Sequence, residues 1–485
     1  KIKGLMYSKS IYKDVRIDRE LARIELAMSS TGSAVINRCS DDQNRRKAAY
    51  RCINNKEVTI ERFRKGLQNQ LKDNVMRLKD CRELLVAQDT MVTVRESVRS
   101  RLAKQGRQVM EVSSHRAGAF SHSALAMTPE GMPLGFSYLE IWNREPLPPA
   151  TSAGGDRRYD ARYYMRDPLT GNSIYKYHVP VEERDSESAR WLSAARETRA
   201  LISNDIHLIM VQDREGDMYP LLTLGLENFD FVVRSSKDRR VMTSDGNRIP
   251  LRQAAMAADE SLTYDITVSK GSRKKGRTAH VGLRFGQVEI LRPHSPVYPV
   301  RSVTLRFVMV SEHDNRSGEK DVEWLLLTSL PVNDATDAQK IVSYYRKRWF
   351  IEEFHRLLKK KGFGIEDIQV ETDHAFAINL ALSIKAAFDT ALLKGAFDSR
   401  NITESAGIVF DSRQMEIIDT INDRNDRHHP IHPNPFPVHS LAWAAWAIAC
   451  FGGWSGLLSQ PRPGIITFKR GIDRVYAIFE FLDRC

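Results

Sequence analysis

Hydrophobic and polar positions follow a helical period at the start of the chain. In three segments between residues 18 and 79, apolar residues recur every three or four positions, which predicts amphipathic helices. The first is "DRELARIELAMSS" (18–30), and the second is the basic "DDQNRRKAAYRCINN" (41–55). In the third, "TIERFRKGLQNQLKDNVMRLK" (59–79), Thr59 is a suitable N-cap. The N-terminal region is therefore predicted to be helical.

The period changes to that of β-strands further along. "RELLVAQDT" (82–90) predicts an apolar strand that ends in Asp89, and "HSALAMTPEGMPLGFSYLEIW" (122–142) predicts a hairpin with a Pro-Glu-Gly turn. A helix capped by Ser186 follows. The run "HLIMVQDREGDMYPLL" (207–222) then predicts a second strand, which ends in Asp213, and a turn into a helix.

Residues 229–330 are dominated by strand-like runs, and the remainder of the chain is mostly helical in pattern. The strand-like runs are "FDFVVRSS", "LTYDITV", "HVGLRFGQVEIL", "VTLRFVMVSE" and "WLLLTSL". Residues 374–420 and the last 45 residues predict helices, with a Pro-broken linker at 427–439 between them. The order predicts an α/β protein in which helices flank a mixed sheet that carries a β-rich insertion.

The segment "YYRKRWFIEEFHRLLKKK" (344–361) predicts one helix with two contrasting faces. At about 100° per residue, one narrow sector combines a phenol, two guanidinium groups, a carboxylate and an ammonium group. These belong to Tyr345, Arg348, Glu352, Arg356 and Lys359, and Phe350, Ile351, Phe354, Leu357 and Leu358 lie on the opposite side. An ordinary surface helix with ion pairs four residues apart would show a charged stripe too. It would not explain a lone carboxylate among cations that suit phosphates.

Composition and charge favour a globular protein with a polyanionic partner. Hydrophobic residues make up 42% of the 485 residues, and the formal net charge is +12. Residues 1–80 hold 19 Lys and Arg against 10 Asp and Glu, so most of the excess positive charge lies there. This distribution favours nucleic acid as the partner. A helical hairpin exposed to solvent is an equally good interpretation of the N-terminal residues alone.

The cysteines and the most apolar run indicate the cellular compartment of the protein. Five cysteines without a C-x-x-C pair argue against a disulfide scaffold or a zinc finger and favour a reducing compartment, hence a cytoplasmic protein. The most apolar run, "LAWAAWAIACFGGW" (441–454), is shorter than the ~20 residues of a membrane span. We predict a buried helix there and no membrane partner.

Three carboxylates are candidates for a metal centre. Asp89 or Asp213 alone is better explained as a turn or capping residue at a strand end. Together with Glu352, however, they match an RNase-H-like arrangement, in which neighbouring strands supply two acids and a helix supplies the third. Clustered carboxylates repel one another unless cations neutralise them, and oxygen ligands suit Mg²⁺, with Mn²⁺ as a substitute. Two such ions would activate a water or hydroxyl against a phosphodiester, with Arg348 and Lys359 holding phosphates.

The spacing Tyr345-(2)-Arg348-(3)-Glu352-(6)-Lys359 resembles the YREK signature of the DDE transposases of bacterial insertion sequence family four. "LLVAQDT" and "DREGD" (213–217) resemble that family's two aspartate motifs. "FVVRS" (231–235) and "WLLLTSLPV" (324–332) resemble two of its strands. The resemblance covers, with gaps, about residue 18 to the end. An extra residue at Lys361 makes positions beyond it harder to transfer.

The resemblance implies roles for individual residues. Asp89, Asp213 and Glu352 would be the catalytic metal ligands, and Trp324 would stack on a base flipped out during formation of a DNA hairpin. The implied DNA contacts are Tyr345, Arg348, Lys359, Arg356 and Arg234. Lys274 and Lys275, in the basic tip "KGSRKKGR" (270–277), are predicted to contact the DNA backbone.

The resemblance also implies domains and partners. We expect a helical DNA-end-binding domain at 1–70, a catalytic domain at 71–370 with an insertion at about 225–335, and a helical dimerisation domain at 371–485. A homodimer would hold double-stranded DNA, namely the terminal repeats of an element and its target. The stretch 143–185 looks longer than its counterpart in the family, which could alter DNA contacts.

Three other interpretations remain open at this stage. The protein could be a catalytically silent DNA-binding regulator or domesticated relative, although the three intact acids argue against this. It could be a metal-dependent nuclease without strand transfer, or a basic RNA-binding or structural protein. His428, His429 and His432 have spacing that could bind a metal, but in a Pro-rich linker without acidic partners a solvated loop is the better prediction.

Overall fold

The computed structural model describes most of the chain as two compact units. The first unit comprises 1–81, 90–146 and 350–485, and the second comprises 82–89 and 147–349. The described residues are 11–12, 14–78, 80–95, 98, 111–113, 116–143, 164–166, 173–175, 179–181, 186–243, 245–268, 277–293, 297–314, 321–359, 361–428, 433–457 and 459–484.

The second unit is built on a mixed sheet. Its strands are β1 (Glu83–Val94, to Asp89 in this unit), β7 (His207–Gln212), β8 (Phe229–Arg234), β9 (Arg240–Met242), β10 (Arg248–Pro250), β11 (Glu260–Val268), β12 (Arg277–Leu291), β13 (Ser302–Glu312) and β14 (Glu323–Thr328). The spatial order is β10-β9-β12-β13-β14-β8-β7-β1, and β11 also pairs with β12. Strands β1, β7 and β8 are parallel, whereas β8, β14, β13 and β12 pair antiparallel.

Helices flank this sheet, and among them the helix at Leu251–Ala257 was not predicted, because residues 229–330 were interpreted as strands. The helices are α4 (Glu187–Leu201), the short α5 (Tyr219–Leu222), α6 (Leu251–Ala257) and α7 (Ala335–Lys347). Ser186 caps α4 by accepting a hydrogen bond from the Ala189 amide, as predicted. A separate pair of short strands, β5 (Tyr164–Arg166) and β6 (Ser173–Tyr175), also falls in this unit. The mixed sheet with flanking helices is that of an RNase-H-like core, as predicted.

The first unit is mainly helical and contains the predicted hairpin. The strands are β2 (Glu111–Ser113), β3 (Arg116–Met127) and β4 (Pro133–Trp142). The helices are α1 (Val15–Thr31), α2 (Gln43–Ile53), α3 (Ile60–Arg77), α8 (Trp349–Leu358, from Phe350 in this unit), α9 (Asp373–Ala386), α10 (Phe388–Ser399), α11 (Ser412–His428), α12 (Leu441–Phe451) and α13 (Ile465–Arg484).

Side-chain contacts join distant parts of the chain within the first unit. Helix α3 lies along β4, where the Asn74 amide donates to the Leu134 carbonyl over 2.6 Å. Helix α1 packs against α9, and the Ser29 hydroxyl donates to the Ala386 carbonyl over 2.8 Å. The rings of Phe136 and Phe354 lie 5.3 Å apart in the core. The N-terminal helices therefore share a hydrophobic core with C-terminal ones, and the division at 70 and 370 stays a prediction.

The structure corrects three details of the sequence prediction. Strand β1 does not end at Asp89 but continues to Val94. The helix predicted over 344–361 is two helices, because the chain leaves the helical pattern at Arg348, whose amide donates to the Tyr345 carbonyl. Loops also interrupt the helical regions predicted at 374–420 and over the last 45 residues, at 400–411 and 452–464.

Three predicted features fall wholly or partly beyond the residues described. Lys274 and Lys275 lie outside them, as do His429, His432 and most of 143–185. The apolar run at 441–454 forms the buried helix α12, as predicted. A longer apolar stretch, Asp373–Ser399, has the length and composition of a membrane span, but 89% of its apolar window is buried in the protein, as in a core helix.

A charged network at the starting ends of the parallel strands generates a prediction about pH. His207 Nε2 lies 2.8 Å from Asp230 Oδ2, and Nδ1 lies 3.5 Å from Glu83 Oε2. The hydrogen bonds to Asp230 and Glu83 raise the pKa of His207 to about 9. A raised pKa in the folded state stabilises the fold fully below the unfolded value of ~6.5, and this stabilisation is lost as the pH rises through about 9.

Replacing this histidine tests the network. His207→Gln should lower the free energy of unfolding by about 2 kcal/mol at pH 6 and remove most of the loss between pH 7 and pH 10. Urea unfolding at several pH values measures both effects. His280→Gln is the control, since that ring is exposed and pairs with an exposed Asp265. Equal pH slopes in the wild type and His207→Gln would contradict the assignment.

Candidate active site

The register of two parallel strands places Asp89 and Asp213 side by side. Strand β1 pairs with β7 from Glu83 opposite His207 to Ala87 opposite Val211. Continued by two residues, this register sets Asp89 beside Asp213. The pair between them agrees with this alignment. The side-chain nitrogen Nε2 of Gln212 donates to Gln88 Oε1 over 2.9 Å, and both glutamines are fully buried. Asp89 and Asp213 are 124 positions apart in the sequence, and the strand pairing brings them next to each other.

A tight turn holds Asp213 at this edge of the sheet. The chain leaves β7 through a single 3-10 turn at Arg214–Gly216, and the Gly216 amide donates to the Asp213 carbonyl over 2.9 Å. Gly216 lies so close to Gln212 that a Cβ atom would fall 2.3 Å from Gln212 Oε1. A glycine is required there by this close approach. The Asp213 side chain remains 34% exposed at the edge.

Three cationic or hydroxyl groups surround the Asp213 carboxylate. The Tyr345 hydroxyl donates to Oδ1 over 3.0 Å, an Arg348 nitrogen lies 3.8 Å from Oδ2, and an Arg234 nitrogen lies 3.9 Å from Oδ1. Burial, followed by the negative charge of Asp213, raises the pKa of Tyr345. The phenol is therefore a hydrogen-bond donor at neutral pH.

Trp324 lies beside the same tyrosine. The two ring centroids are 5.8 Å apart, and the Arg348 guanidinium lies 5.5 Å from the Tyr345 ring centroid. Antiparallel pairing of β14 with β8 brings the end of β8 here, and the Arg234 guanidinium donates to the Glu323 carbonyl over 3.0 Å. The predicted residues Asp213, Arg234, Trp324, Tyr345 and Arg348 therefore form one cluster in the second unit.

Tyr345 and Arg348 are more enclosed than the helical wheel suggested. Each is about 5% exposed, since they lie at the end of α7 against the sheet and not on an open polar stripe. The buried positions Phe350, Ile351 and Phe354 agree with the predicted apolar face. The break at Arg348 separates the stripe into two parts.

The remaining residues of the stripe belong to the first compact unit. On α8, Glu352 is half-buried, whereas Arg356 is exposed and pairs with Glu353 at 3.0 Å. Lys359 is half-buried just after the helix, and its amide donates to the His355 carbonyl. These residues are on the predicted helix, and their roles stay predictions.

Two further acids of the motif "DREGD" were missed by the sequence analysis. Partial desolvation raises the pKa of Glu215, and the negative charges of Asp89, Glu187 and Asp213 raise it further. Negative charge is therefore concentrated around the two aspartates. Asp217 instead has a structural role, since it is buried, pairs with Arg239 at 2.6 Å and accepts the Ser236 amide at 2.7 Å. The sequence signal for both residues was the presence of two further acids, Glu215 and Asp217, within four positions of Asp213.

The chemistry of this edge fits a hard divalent cation in part. Asp89 and Asp213 supply adjacent carboxylate oxygens, and a cation would relieve the repulsion that raises the pKa of Glu215. Among the residues that the structure describes, no group of three or more His, Cys, Asp or Glu side chains is arranged to hold a metal ion. The two aspartates bring carboxylate oxygens to one edge of the sheet, and the metal site remains a prediction.

Comparison with known families adds an independent observation. Residues 223–388 match the family model described as the transposase DDE domain. This match supports a DDE transposase. It covers about a third of the chain and includes Arg234, Trp324, Tyr345, Arg348 and Glu352. Asp89 and Asp213 precede it. The pairing of β7 with β8, and the contacts of Asp213 with Tyr345, Arg348 and Arg234, connect them to the matched residues.

The close approach at Gly216 generates a prediction. Gly216→Ala forces a Cβ atom into the buried Gln212 side chain, so the turn after Asp213 must shift. We expect a loss of about 1–3 kcal/mol in the free energy of unfolding, measured by urea denaturation. Gly464→Ala is the control, because the nearest atom to its added Cβ is 4.0 Å away. Equal stability of the two variants would mean that the turn tolerates a side chain.

Proposed function

We propose that the protein is a cut-and-paste DNA transposase of insertion sequence family four, related to the transposase of transposon five. It would bind terminal inverted repeats, cleave the element ends through a DNA hairpin and join the 3′ ends to target DNA. The observation that carries the proposal is the alignment of Asp89 with Asp213 beside Tyr345, Arg348 and Arg234. Acids that could hold a metal next to cations that could hold phosphates match this chemistry.

In this proposal the three carboxylates have one shared task. Asp89, Asp213 and Glu352 would hold divalent cations, two Mg²⁺ per site with Mn²⁺ as a substitute. When bound, such ions supply a nucleophile at neutral pH and stabilise the leaving oxygen of a phosphodiester. The hydrogen-bond donors around Asp213 fix the position of its carboxylate. The Tyr345 hydroxyl, which donates to Asp213 Oδ1, would donate to a phosphate oxygen once DNA is bound.

The cations and the tryptophan would position DNA. Arg348 and Arg234 present guanidinium groups near Asp213, where a phosphate could take the place of the carboxylate as partner. Lys359 would hold a phosphate near the cleaved end, as Arg348 would. Arg356, Lys274 and Lys275 would contact the DNA backbone. Trp324, half-buried against Tyr345, would support a flipped base.

The remaining parts of the chain would read and pair the ends. The excess positive charge of residues 1–80 supports a role of the N-terminal helices in binding the terminal repeats. In the proposed synaptic complex, two copies of the chain hold two ends, with the region 371–485 at the dimer contact. A cytoplasmic location next to the chromosome follows from this function.

Neutralising each acid tests the metal site. Asp89→Asn, Asp213→Asn and Glu352→Gln should each reduce cleavage of the element ends in Mg²⁺ at least a thousandfold, because a neutral amide holds a divalent cation poorly. End binding in gel shifts should change little. Glu353→Gln is the matched control for the helix, and Asp205→Asn is the control for a strand-entry aspartate. Near-normal cleavage by any of the three variants would remove that residue from the site. If the wild type binds ends but never cleaves them, the protein is a silent regulator.

The role of Trp324 is tested by the order of products. On the proposed role, Trp324→Ala loses about 1–3 kcal/mol of base stacking, so nicked DNA accumulates while hairpins form slowly. If Trp324 is only a core residue, all products decrease together and the melting temperature falls. A time course of nicked, hairpinned and cleaved ends, with a melting curve, separates the two roles.

A further inference from the structure

An aromatic cavity of about 320 Å³ lies among the C-terminal helices of the first unit. Its walls are the rings of Phe397, Phe436, Trp446 and Trp454, and its rim carries Arg400, Gln460 and Arg462. The Trp446 and Trp454 centroids are 4.8 Å apart at nearly right angles, and the Phe397 ring lies 6.0 Å from Trp446. The cavity is large enough for one small ligand.

The loop after α12 is shaped to form one wall. Gly453 and Gly456 have φ angles of +102° and +74°, values that residues other than glycine rarely adopt. At Gly456 the chain lies against Trp446, and Trp454 folds back across the cavity, where its indole N–H donates to the Pro461 carbonyl over 3.2 Å. Trp454 and Phe436 remain half-exposed while Trp446 and Phe397 are buried. The cluster is therefore open to solvent on one side, unlike a closed core.

Arg400 occupies a backbone conformation that favours glycine. It follows the end of α10 with φ of +52° and ψ of 44°. The backbone amides of Arg400 and Asn401 donate to the carbonyls of Phe397 and Ala396, and these hydrogen bonds end the helix. A non-glycine residue here has a cost in stability, and such outliers concentrate at functional sites. The Arg400 side chain is exposed at the cavity rim and has no ion-pair partner among the described residues. The chain thus has an arginine at a position where glycine would suit the backbone better.

We propose that this cavity binds a nucleotide, with the base among the aromatic rings and the phosphate on Arg400 and Arg462. Indole and phenyl faces stack on every base, and guanidinium groups bind phosphate through paired hydrogen bonds. Arg462 is available for this because its contact with Asp398 is loose, at 3.9 Å. The Gln460 amide lies where it could reach the edge of a base. This site uses none of the proposed catalytic or DNA-contact residues, and it falls within the region 371–485 to which the proposed function gives only a dimer contact.

The full-length protein can be tested by tryptophan fluorescence, since two of the cavity walls are indoles. Adenosine monophosphate should quench the emission saturably, and adenosine and inorganic phosphate, each lacking one half of the ligand, should bind at least tenfold more weakly. Hexadeoxyadenylate shows the source of the nucleotide. Tighter binding of the oligonucleotide indicates a site for a DNA strand, and tighter binding of the monophosphate indicates a free nucleotide.

Arg400→Gly separates binding from folding. The substitution removes the guanidinium but suits the backbone, so the melting temperature should stay the same or rise while affinity falls at least tenfold. Arg462→Gln should also weaken binding, and Arg470→Gln, which alters an exposed arginine on α13, should not. The proposal is overturned if no nucleotide saturates the signal at millimolar concentration. It is also overturned if adenosine binds as well as its monophosphate, or if Arg400→Gly retains wild-type affinity.

Discussion

Two like charges placed next to each other by a parallel register are the constraint on which the site depends. Asp89 and Asp213 cannot separate, because the residues before them are locked in paired strands and in the buried Gln88–Gln212 hydrogen bond. Leaving a buried amide without its partner costs about 1–3 kcal/mol, so a slip of the register is opposed by the core itself. The repulsion between the carboxylates is then reduced by the tyrosine and arginines around Asp213. The edge is therefore arranged to accept positive charge.

The local elements could be predicted from the sequence because each has a strong local signal. The caps at Thr59 and Ser186 and the apolar runs of β7, β8, β13 and β14 lie where the pattern put them. The strand continuing past Asp89 could not be predicted from that pattern. Residues 90–94 read "TMVTV", in which Met91 and Val92 are adjacent apolar residues, so no strict apolar–polar alternation extends the strand beyond the aspartate.

The site was predictable in its members and less so in its environment. Spacing along one helix selected Tyr345 and Arg348, but a wheel assumes a continuous helix and an open face. Their burial arises from packing of α7 on the sheet, which is tertiary information. Glu215 and Asp217 were not predicted as site residues. The sequence shows that both are acidic, but not that Glu215 faces solvent near the aspartates while Asp217 is paired with Arg239.

The buried Asp217–Arg239 pair has a consequence for how this domain can evolve. Asp217 closes the turn that begins at Asp213, and Arg239 directly precedes β9 within the predicted β-rich insertion at about 225–335. Removing one member of such a pair leaves an uncompensated charge in the interior, at a cost of about 3–5 kcal/mol. The predicted insertion is thus coupled to this turn, and deleting or exchanging it at its strand boundaries would remove the partner of Asp217. A chimera that replaces it must carry an arginine at the same place, or the turn that positions Asp213 loses its anchor.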